Sequence, residues 1–432
     1  DRPDYFEQSG DQQDDPGHGG SDADENAMMH ARGILGRMAT FDFVVVGGGV
    51  IGTSIACHLA MLGGGRVALL ERGTLGGGTT AQSSCILRTH YSVREDAELA
   101  HASIGIFKRL PAYLDDAEAA SGYNRCGLLI VAPPGERAEA LAQTLAIERS
   151  LGIDARDLTP SEAKERLPLL DVDDLAHAGF EPDAGYADAH LTLSSFARAA
   201  RRRGVQFREG TTVTGLLRDG GGRVTGVRTD RGDIAAGRTI VALNIWTGLV
   251  ARWTGVALPL TMSRHAVFTL EGATPYTRDL PVLKDLASPA KLYMRSYATR
   301  QLLVGDGNEG ETLDAPDTEQ ADVPLDHVVE LGEQVAHRLP AFAEAGLASS
   351  WTGVYDVTPD WNPVLGPLPG VDGIDVAYGF SGHGFKLSPI VGRLMAQHAL
   401  GLPTDLPLAP YALERFATGK LLQGRYGAGA VS

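Results

Sequence analysis

Short apolar runs, separated by glycines and by stretches of helical period, set the plan of this chain. Residues 43–46 (FVVV) are one apolar run, residues 50–62 carry a helical pattern, and residues 67–70 (VALL) are apolar again. This order predicts a βαβ unit. Further on, helical patterns are predicted over 95–120, 135–152, 191–203 and 325–338. Thr159, ahead of Pro-Ser-Glu-Ala-Lys, reads as a helix cap. Strands are predicted at 127–132 and 374–378, and 206–207, 211–217, 223–229 and 239–242 alternate as a β-meander does. More strands fall within 258–310, and 180–188 is rich in turns. A last helix is predicted over 387–400, with Ser388 as N-cap and Pro389 in its first position. No internal repeat shows. The coarse order is α/β, then mixed strands, then α/β again, as when one domain interrupts another.

Between the first strand and the first helix the chain reads Gly47-Gly48-Gly49-Val50-Ile51-Gly52, a G-x-G-x-x-G sequence. The second strand runs into Glu71 about 20 residues later, which completes the pattern of a dinucleotide-binding fold. Gly47 permits the tight turn, Gly49 lets the backbone approach a pyrophosphate, and Gly52 lets helix and strand pack closely. The helix N-terminus offers unpaired N–H groups and its positive dipole end to phosphates. Glu71 accepts hydrogen bonds from a ribose diol and repels a 2′-phosphate, which argues against NADP. The glycine-rich loop 73–91 follows beside this phosphate site.

The chain's 432 residues exceed the usual size of one core, so two domains are expected. A net charge of −16 argues against nucleic acid or an anionic membrane surface as partner. No apolar run reaches the length of a membrane span, and the N-terminus lacks the pattern of a signal peptide. Cys57, Cys85 and Cys126 make no disulfide framework, which fits a reducing, cytoplasmic setting. Cys57 lies in the first helix and reads as packing. No Cys/His cluster has metal-ligand spacing, so no metal is expected. The first 25 positions hold nine acids and one base, too polar to offset the entropy of ordering. An acidic disordered tail is therefore expected over 1–40, with a flexible end over 419–432.

With these pieces assembled, the chain resembles the flavin-dependent amine oxidoreductases of the D-amino-acid oxidase superfamily. The likeness is greatest to the branch of sarcosine oxidase, glycine oxidase and dimethylglycine dehydrogenase. Four stretches carry it: residues 44–72; residues 79–92 (TTAQSSCILRTHYS), similar to the loop over the flavin in sarcosine oxidases; residues 239–246 (TIVALNIW), similar to the strand and turn backing the cofactor; and residues 379–386 (GFSGHGFK), the most specific. The resemblance implies an α/β protein whose Rossmann-like FAD-binding domain (41–125, 180–250 and 355–418) is interrupted by an α+β substrate domain (126–179 and 251–354) with a mixed or antiparallel sheet. FAD is then buried between the two.

Carried over residue by residue, the resemblance implies FAD contacts from Gly47, Gly49, Val50, Ile51, Gly52, Glu71, Arg72, Thr79, Thr80, Ser83, Val213 and Trp246, and from Gly382, His383, Gly384, Phe385 and Lys386. Arg88 and Lys386 fall on the positions that hold the substrate carboxylate, and Tyr355 on a tyrosine that faces the substrate. Such an arrangement acts by positioning the α-C–H at flavin N5. Arg supplies a planar fork and Lys a point charge. His383 either orients this loop or the flavin, or packs. No general base stands out.

Three departures shape the expectation. The cysteine that carries flavin in monomeric sarcosine oxidases aligns with Gly353, and the loop histidine of dimethylglycine dehydrogenases has no match in 79–84. FAD is therefore expected without a covalent bond. The lysine that promotes reaction with oxygen should lie near 301–305 (QLLVG), which holds none; Lys291, Arg295 and Arg300 are the cations nearby in sequence. Reoxidation by air is then expected to be slow, with a quinone, another flavoprotein or a partner subunit as acceptor. The leading expectation is oxidation of the C–N bond of a secondary, N-methylated or cyclic amino acid by hydride transfer to flavin N5, giving an imine that water hydrolyses. The alternatives are a primary D-amino acid or glycine oxidase, and a non-catalytic FAD-binding subunit. An NAD-dependent dehydrogenase shares the glycine motif but does not account for 379–386. The expected partners are a small amino acid or amine, with a partner subunit or electron-acceptor protein.

Overall fold

A computed structural model describes residues 39–272, 280–308, 310–316 and 322–425. Almost all of the expected acidic tail, and residues 426–432, lie outside the described residues. Residues Thr40–Ser432 form one compact unit.

Strand Ala39–Val46 lies parallel to Val67–Leu70, with Phe43 beside Val67 and Val46 beside Leu70. Helix Val50–Met61 makes the crossover. All four residues of Val67–Leu70 are buried. A strand covered on both faces has no solvent side, which explains why these runs do not alternate. The sheet continues as Val364–Pro367, Ile374–Tyr378, Ile234–Val241, Ala39–Val46, Val67–Leu70 and Gln206–Arg208, with Val224–Thr229 and Val213–Arg218 attached to Ile234–Val241 as a meander. Helix Gly384–Ala399 packs on Val50–Met61 and on Arg94–Phe107. Ile55, Leu59, Leu69, Phe196, Val391 and Leu394 belong to the core between these layers.

A second sheet runs Glu311–Leu313, Thr261–Glu271, Gln301–Gly305, Tyr293–Ala298, Val282–Asp285, Leu128–Ala132, His177–Glu181 and Arg156–Leu158. The long strand Gly346–Val357 pairs antiparallel with Thr261–Glu271. Only Val282–Asp285 and Leu128–Ala132 run parallel, so this sheet is mixed, as expected. Its core gathers Leu129, Val131, Phe268, Leu283, Leu331 and Val335. The architecture is thus a Rossmann-like α/β layer joined to a mixed-sheet α+β layer.

Local signals explain the element ends. Thr159 and Glu162 form a reciprocal capping box, with Thr159 N–H donating to Glu162 Oε2 at 2.7 Å and Glu162 N–H to Thr159 Oγ1 at 3.3 Å. Asp188 caps helix Ala189–Arg202 by accepting from Leu191 N–H at 2.7 Å. Three predictions need correction. Gln206–Arg208 is no part of the meander; it pairs parallel with Val67–Leu70 at the edge of the first sheet. The helical stretch 95–120 is two helices, Arg94–Phe107 and Leu110–Leu114, because Pro111 cannot extend the first. The last helix starts not at 387 but at Gly384, with Ser388 and Pro389 inside it. Pro389 brings no N–H to the carbonyl of Phe385, and Ser388 Oγ donates to that carbonyl instead, at 2.8 Å. The exception to the proline rule is satisfied locally.

Described residues beyond Thr418 are hydrogen-bonded to the fold: Leu422 N–H donates to Asp360 Oδ2 at 3.1 Å, and Arg425 N–H to Ser92 Oγ at 2.9 Å. Among the described residues no helix is long and apolar enough to cross a membrane.

Candidate active site

Three cavities sharing walls run from the glycine turn to the second sheet. At the first, Gly47 has φ +110°, and a Cβ on it would collide with the carbonyl oxygen of Ala242. Gly52 packs directly on the carbonyl of Gly47 and lines none of these three cavities. Val50 N–H donates to Thr80 Oγ1 at 3.1 Å, which leaves the Thr80 hydroxyl proton to point at an acceptor. Both carboxylate oxygens of Glu71 take backbone N–H groups, from Gly48 at 2.7 Å and Gly73 at 2.8 Å. Glu71 thus braces the glycine turn and lines the cavity. The Arg72 guanidinium lies 4.3 Å from the centroid of Trp246. Gly47, Gly49, Glu71, Arg72, Thr79, Thr80, Val213 and Trp246 line this first cavity.

Gly49, Val50, Ile51, Thr79, Thr80, Ser83, Gly382, Gly384 and Phe385 line the second, and Gly353 lies on its wall. Asn244 borders both cavities in a left-handed conformation, and its Oδ1 has no partner among the described residues.

The third cavity is lined by Arg88, Lys284, Tyr355, Gly382, His383 and Lys386 among others. Its floor is the loop 379–383. Asp356 holds that loop by accepting from Gly379 N–H at 2.6 Å, and its backbone carbonyl accepts from Ser381 N–H at 3.1 Å. Gly382 has φ +85°, and its Cβ would lie 2.6 Å from the Tyr355 ring, so no side chain fits there. Because the helix starts at Gly384, Lys386 sits in its first turn, anchored where Ser103 Oγ donates to its carbonyl at 2.6 Å. Burial, then Arg88 and Lys284, push the Lys386 ammonium well below its ordinary value.

In the pairing of the two long strands, Tyr355 stands opposite Ser263, and His265 opposite Gly353. His265 and Tyr355 are therefore diagonal neighbours on one face, stacked with centroids 4.0 Å apart. Burial pushes the Tyr355 phenol up. His383 is buried, and neither ring nitrogen has a partner among the described residues. Burial, then Lys386 and Arg88, hold it neutral, well below the usual histidine range.

Lys284 is the residue that sequence reading missed. It lies in the buried strand Val282–Asp285, beside Ile130 and Tyr293, and donates to the carbonyl of Lys291 at 2.9 Å. Burial, then Arg88 and Lys291, push its ammonium down to about 7. Lys291, Arg295 and Arg300 line none of the three cavities. Arg295 donates to the carbonyl of Ser84 at 2.8 Å and Arg300 to that of Gly272 at 3.2 Å. Lys284 thus brings a cation to the site where Gln301–Gly305 brings none. A lysine inside an apolar strand (PVLKDL) was the one available signal.

Residues 42–398 match the family described as DAO, FAD dependent oxidoreductase. The chain belongs to this family. It is 31% identical over 403 residues to the sarcosine oxidase subunit beta of Arthrobacter sp., covering 91% of this chain and 95% of that one. It is 30% identical over 391 residues to the 4-methylaminobutanoate oxidase (formaldehyde-forming) of Paenarthrobacter nicotinovorans, covering 87% of this chain but 45% of the longer relative. The crystal structure of L-proline dehydrogenase from P. horikoshii superposes with a TM-score of 0.81 at 26% identity, covering 89% of this chain and all of that one.

As an FAD dependent oxidoreductase of the amine and amino-acid type, the chain uses FAD, and its first two cavities fit that group. The glycine turn and the first amides of helix Val50–Met61 face the first two cavities, as a pyrophosphate requires. The wall of Arg72, Trp246 and Trp253 suits an aromatic base. The unpartnered Asn244 Oδ1 awaits a donor. The first-turn amides of helix Gly384–Ala399 lie beside the second cavity, where a positive dipole end stabilises negative charge.

Proposed function

We propose that this chain oxidises the C–N bond of a secondary, N-methylated or cyclic amino acid, with FAD in the first two cavities and the amino acid in the third. One observation carries this reading. Half-buried Arg88 and buried Lys386 and Lys284 converge on one cavity that shares Ser84, His265, Tyr293, Tyr355 and Gly382 with its neighbour. Buried cations are costly unless an anion meets them, and an amino acid brings a carboxylate. Arg88 takes that carboxylate through its fork and Lys386 through a point charge, which fixes the α-carbon towards the second cavity. Tyr355 and His265 make the aromatic wall that excludes water. The neutral His383 accepts no net charge but has both ring nitrogens ready for polar contact. FAD, when bound, supplies the acceptor for the hydride. The amine lone pair closes the C=N bond as the hydride leaves, and water then splits the imine into carbonyl compound and amine.

FAD is held without a covalent bond in this reading: Gly353 offers no thiol, and among the described residues no cysteine lines the cavities. The two sheets serve as the cores of an FAD-binding domain and a substrate domain. The relative named as a subunit beta supports the presence of a partner subunit. The relatives named for sarcosine, methylaminobutanoate and proline support a secondary amine.

The test is anaerobic mixing of the yellow protein with a panel of N-methyl and cyclic amino acids, each beside its decarboxylated amine, while the visible flavin band is followed. Bleaching by secondary amino acids alone is the expected result. No bleaching by any member, or equal bleaching by the amines without carboxylate, overturns the reading.

A further inference from the structure

A second buried polar cluster stands directly behind Arg88 and has no part in the reading above. His90 lies two residues past Arg88, Glu148 on helix Glu136–Ser150, and Glu181 at the end of strand His177–Glu181. Their side chains are 0–1% exposed. His90 Nδ1 stands 2.7 Å from Glu148 Oε1 and 4.0 Å from Glu181 Oε1. Thr89 N–H donates to Glu181 Oε2 at 2.9 Å. Glu148 Oε2 and Glu181 Oε1 are buried with no partner among the described residues. The Arg88 guanidinium donates to the carbonyl of His90, and its charge acts on both His90 and Glu148.

His90, Glu148 and Glu181 have the composition of a cation site, with their polar atoms within 4.8 Å of one another. Their spacing is that of a proton instead. Two atoms bound to one small cation at tetrahedral angles stand roughly 3.3 Å apart, whereas His90 Nδ1 and Glu148 Oε1 are at hydrogen-bond distance, 2.7 Å.

We propose that Glu148 and Glu181, gathered around His90, are positioning residues for Arg88: above the pH at which the pair gives up a proton they act as an anion on its guanidinium while the substrate cavity is empty, and they take that proton back when a carboxylate docks there. This inference rests on Arg88 as the carboxylate-binding residue. Two carboxylates this close in a dry site cannot both ionise. Burial pushes Glu148 up to about 8, and burial with the charge of Glu148 does the same to Glu181. Burial drives His90 down to about 3, against the pull of Glu181, so the imidazole is neutral and hydrogen-bonds Glu148 without adding charge. The other groups facing the cluster are Tyr91 on the Arg88 loop, Arg149 on the Glu148 helix, Lys284 across the strand, and Tyr123 with Asp183 beside Glu181. A docked carboxylate neutralises Arg88, the cation that favours ionisation of Glu148, so the affinity of the cluster for a proton rises.

The sign follows. Below about pH 8 the pair already holds its protons, and docking moves none. Above it, docking must draw a proton from solvent, and carboxylate affinity falls by up to about tenfold per pH unit. The experiment titrates the FAD-loaded protein with pyrrole-2-carboxylate and with pyrrole-2-carboxamide between about pH 6 and pH 10, with dissociation constants read from the flavin band and proton uptake from calorimetry in two buffers. The carboxylate should bind with close to one proton taken up above about pH 8. Glu148→Gln, the neutral isostere of the protonated form, should abolish both the uptake and the loss of affinity; Glu181→Gln should do the same and serves where Glu148→Gln does not retain flavin. A step near pH 7 belongs to Lys284 and should persist in both variants. Uptake unchanged in both variants overturns the proposal, as does one metal ion per chain that survives dialysis against EDTA. Carboxylate preferred over carboxamide without any step above pH 8 defeats this inference alone. Equal binding of the two defeats the assignment of Arg88 itself.

Discussion

Arg88 and Lys386 share one aromatic ring: the guanidinium lies 4.4 Å and the ammonium nitrogen 6.0 Å from the centroid of Tyr91. Two like charges converge there because one comes from the loop after the glycine turn and the other from the first turn of the last long helix. The ring offers both a partial counter-charge. A bound carboxylate offers a full one.

Replacement of either cation should therefore weaken anions selectively. Arg88→Met or Lys386→Met should cost a carboxylate ligand ~1.5–3 kcal/mol, the scale of a charged hydrogen bond. The matching carboxamide should bind as before. Flavin-band titration measures both, and equal losses for the two ligands would show that these side chains serve the cofactor or the fold.

Lys284 should give the site a pH response of its own. Its ammonium, held at about 7, is charged below that pH and neutral above it. Anion affinity should then fall as pH rises through about 7, and Lys284→Met should lack this step while keeping the low affinity of the high-pH form. A Kd profile of a non-reacting carboxylate decides it, and a step that survives the substitution assigns the titration elsewhere.

The flavin should leave with acid. Gly353 borders the second cavity, and a Cβ there would meet Gln82 Cβ at an ordinary 3.5 Å, so there is space for a cysteine but no thiol. Precipitation with trichloroacetic acid should give a yellow supernatant and a colourless pellet. A yellow pellet would mean a covalent bond formed by another residue.

The last long helix should depend on one hydroxyl. Ser388→Ala leaves the Phe385 carbonyl without a donor and should cost ~1 kcal/mol in denaturant unfolding. Adding Pro389→Ala to Ser388→Ala restores a backbone N–H at position 389, which donates to that carbonyl, and most of the loss should return. A double variant no more stable than the single one would place the defect elsewhere in the helix.

Residues 43–71 were legible because each constraint is local. A strand covered on both faces is apolar throughout, a turn that admits no Cβ holds glycine, and the acid follows at one crossover's length. The helix Leu325–Arg338 and the strand Ile374–Tyr378 were legible for the same reason, period and flanking turns. The stretches at 79–92 and 379–386 pointed to the cofactor and to two of the three cavity cations, since Arg88 stands at a fixed place in the first and Lys386 in the second. Where Ser388-Pro389 is the best local helix start, the fold overrules it: Asp356, on a strand of the other sheet, holds the preceding loop so that the helix begins at Gly384. Lys284 reads locally as a strand's solvent-facing charge, and only the covering of both faces of Val282–Asp285 buries it. Glu148 and Glu181 lie 58 and 91 residues beyond His90, with no shared period. Their meeting depends on a loop, a helix and a strand closing over one dry space, where burial pushes both carboxyls up. Sequence by itself determined most of the elements, the cofactor class and two cations, Arg88 and Lys386, that line the third cavity. Tertiary structure decided which charges lose their water, and with that which of them titrate near neutral pH.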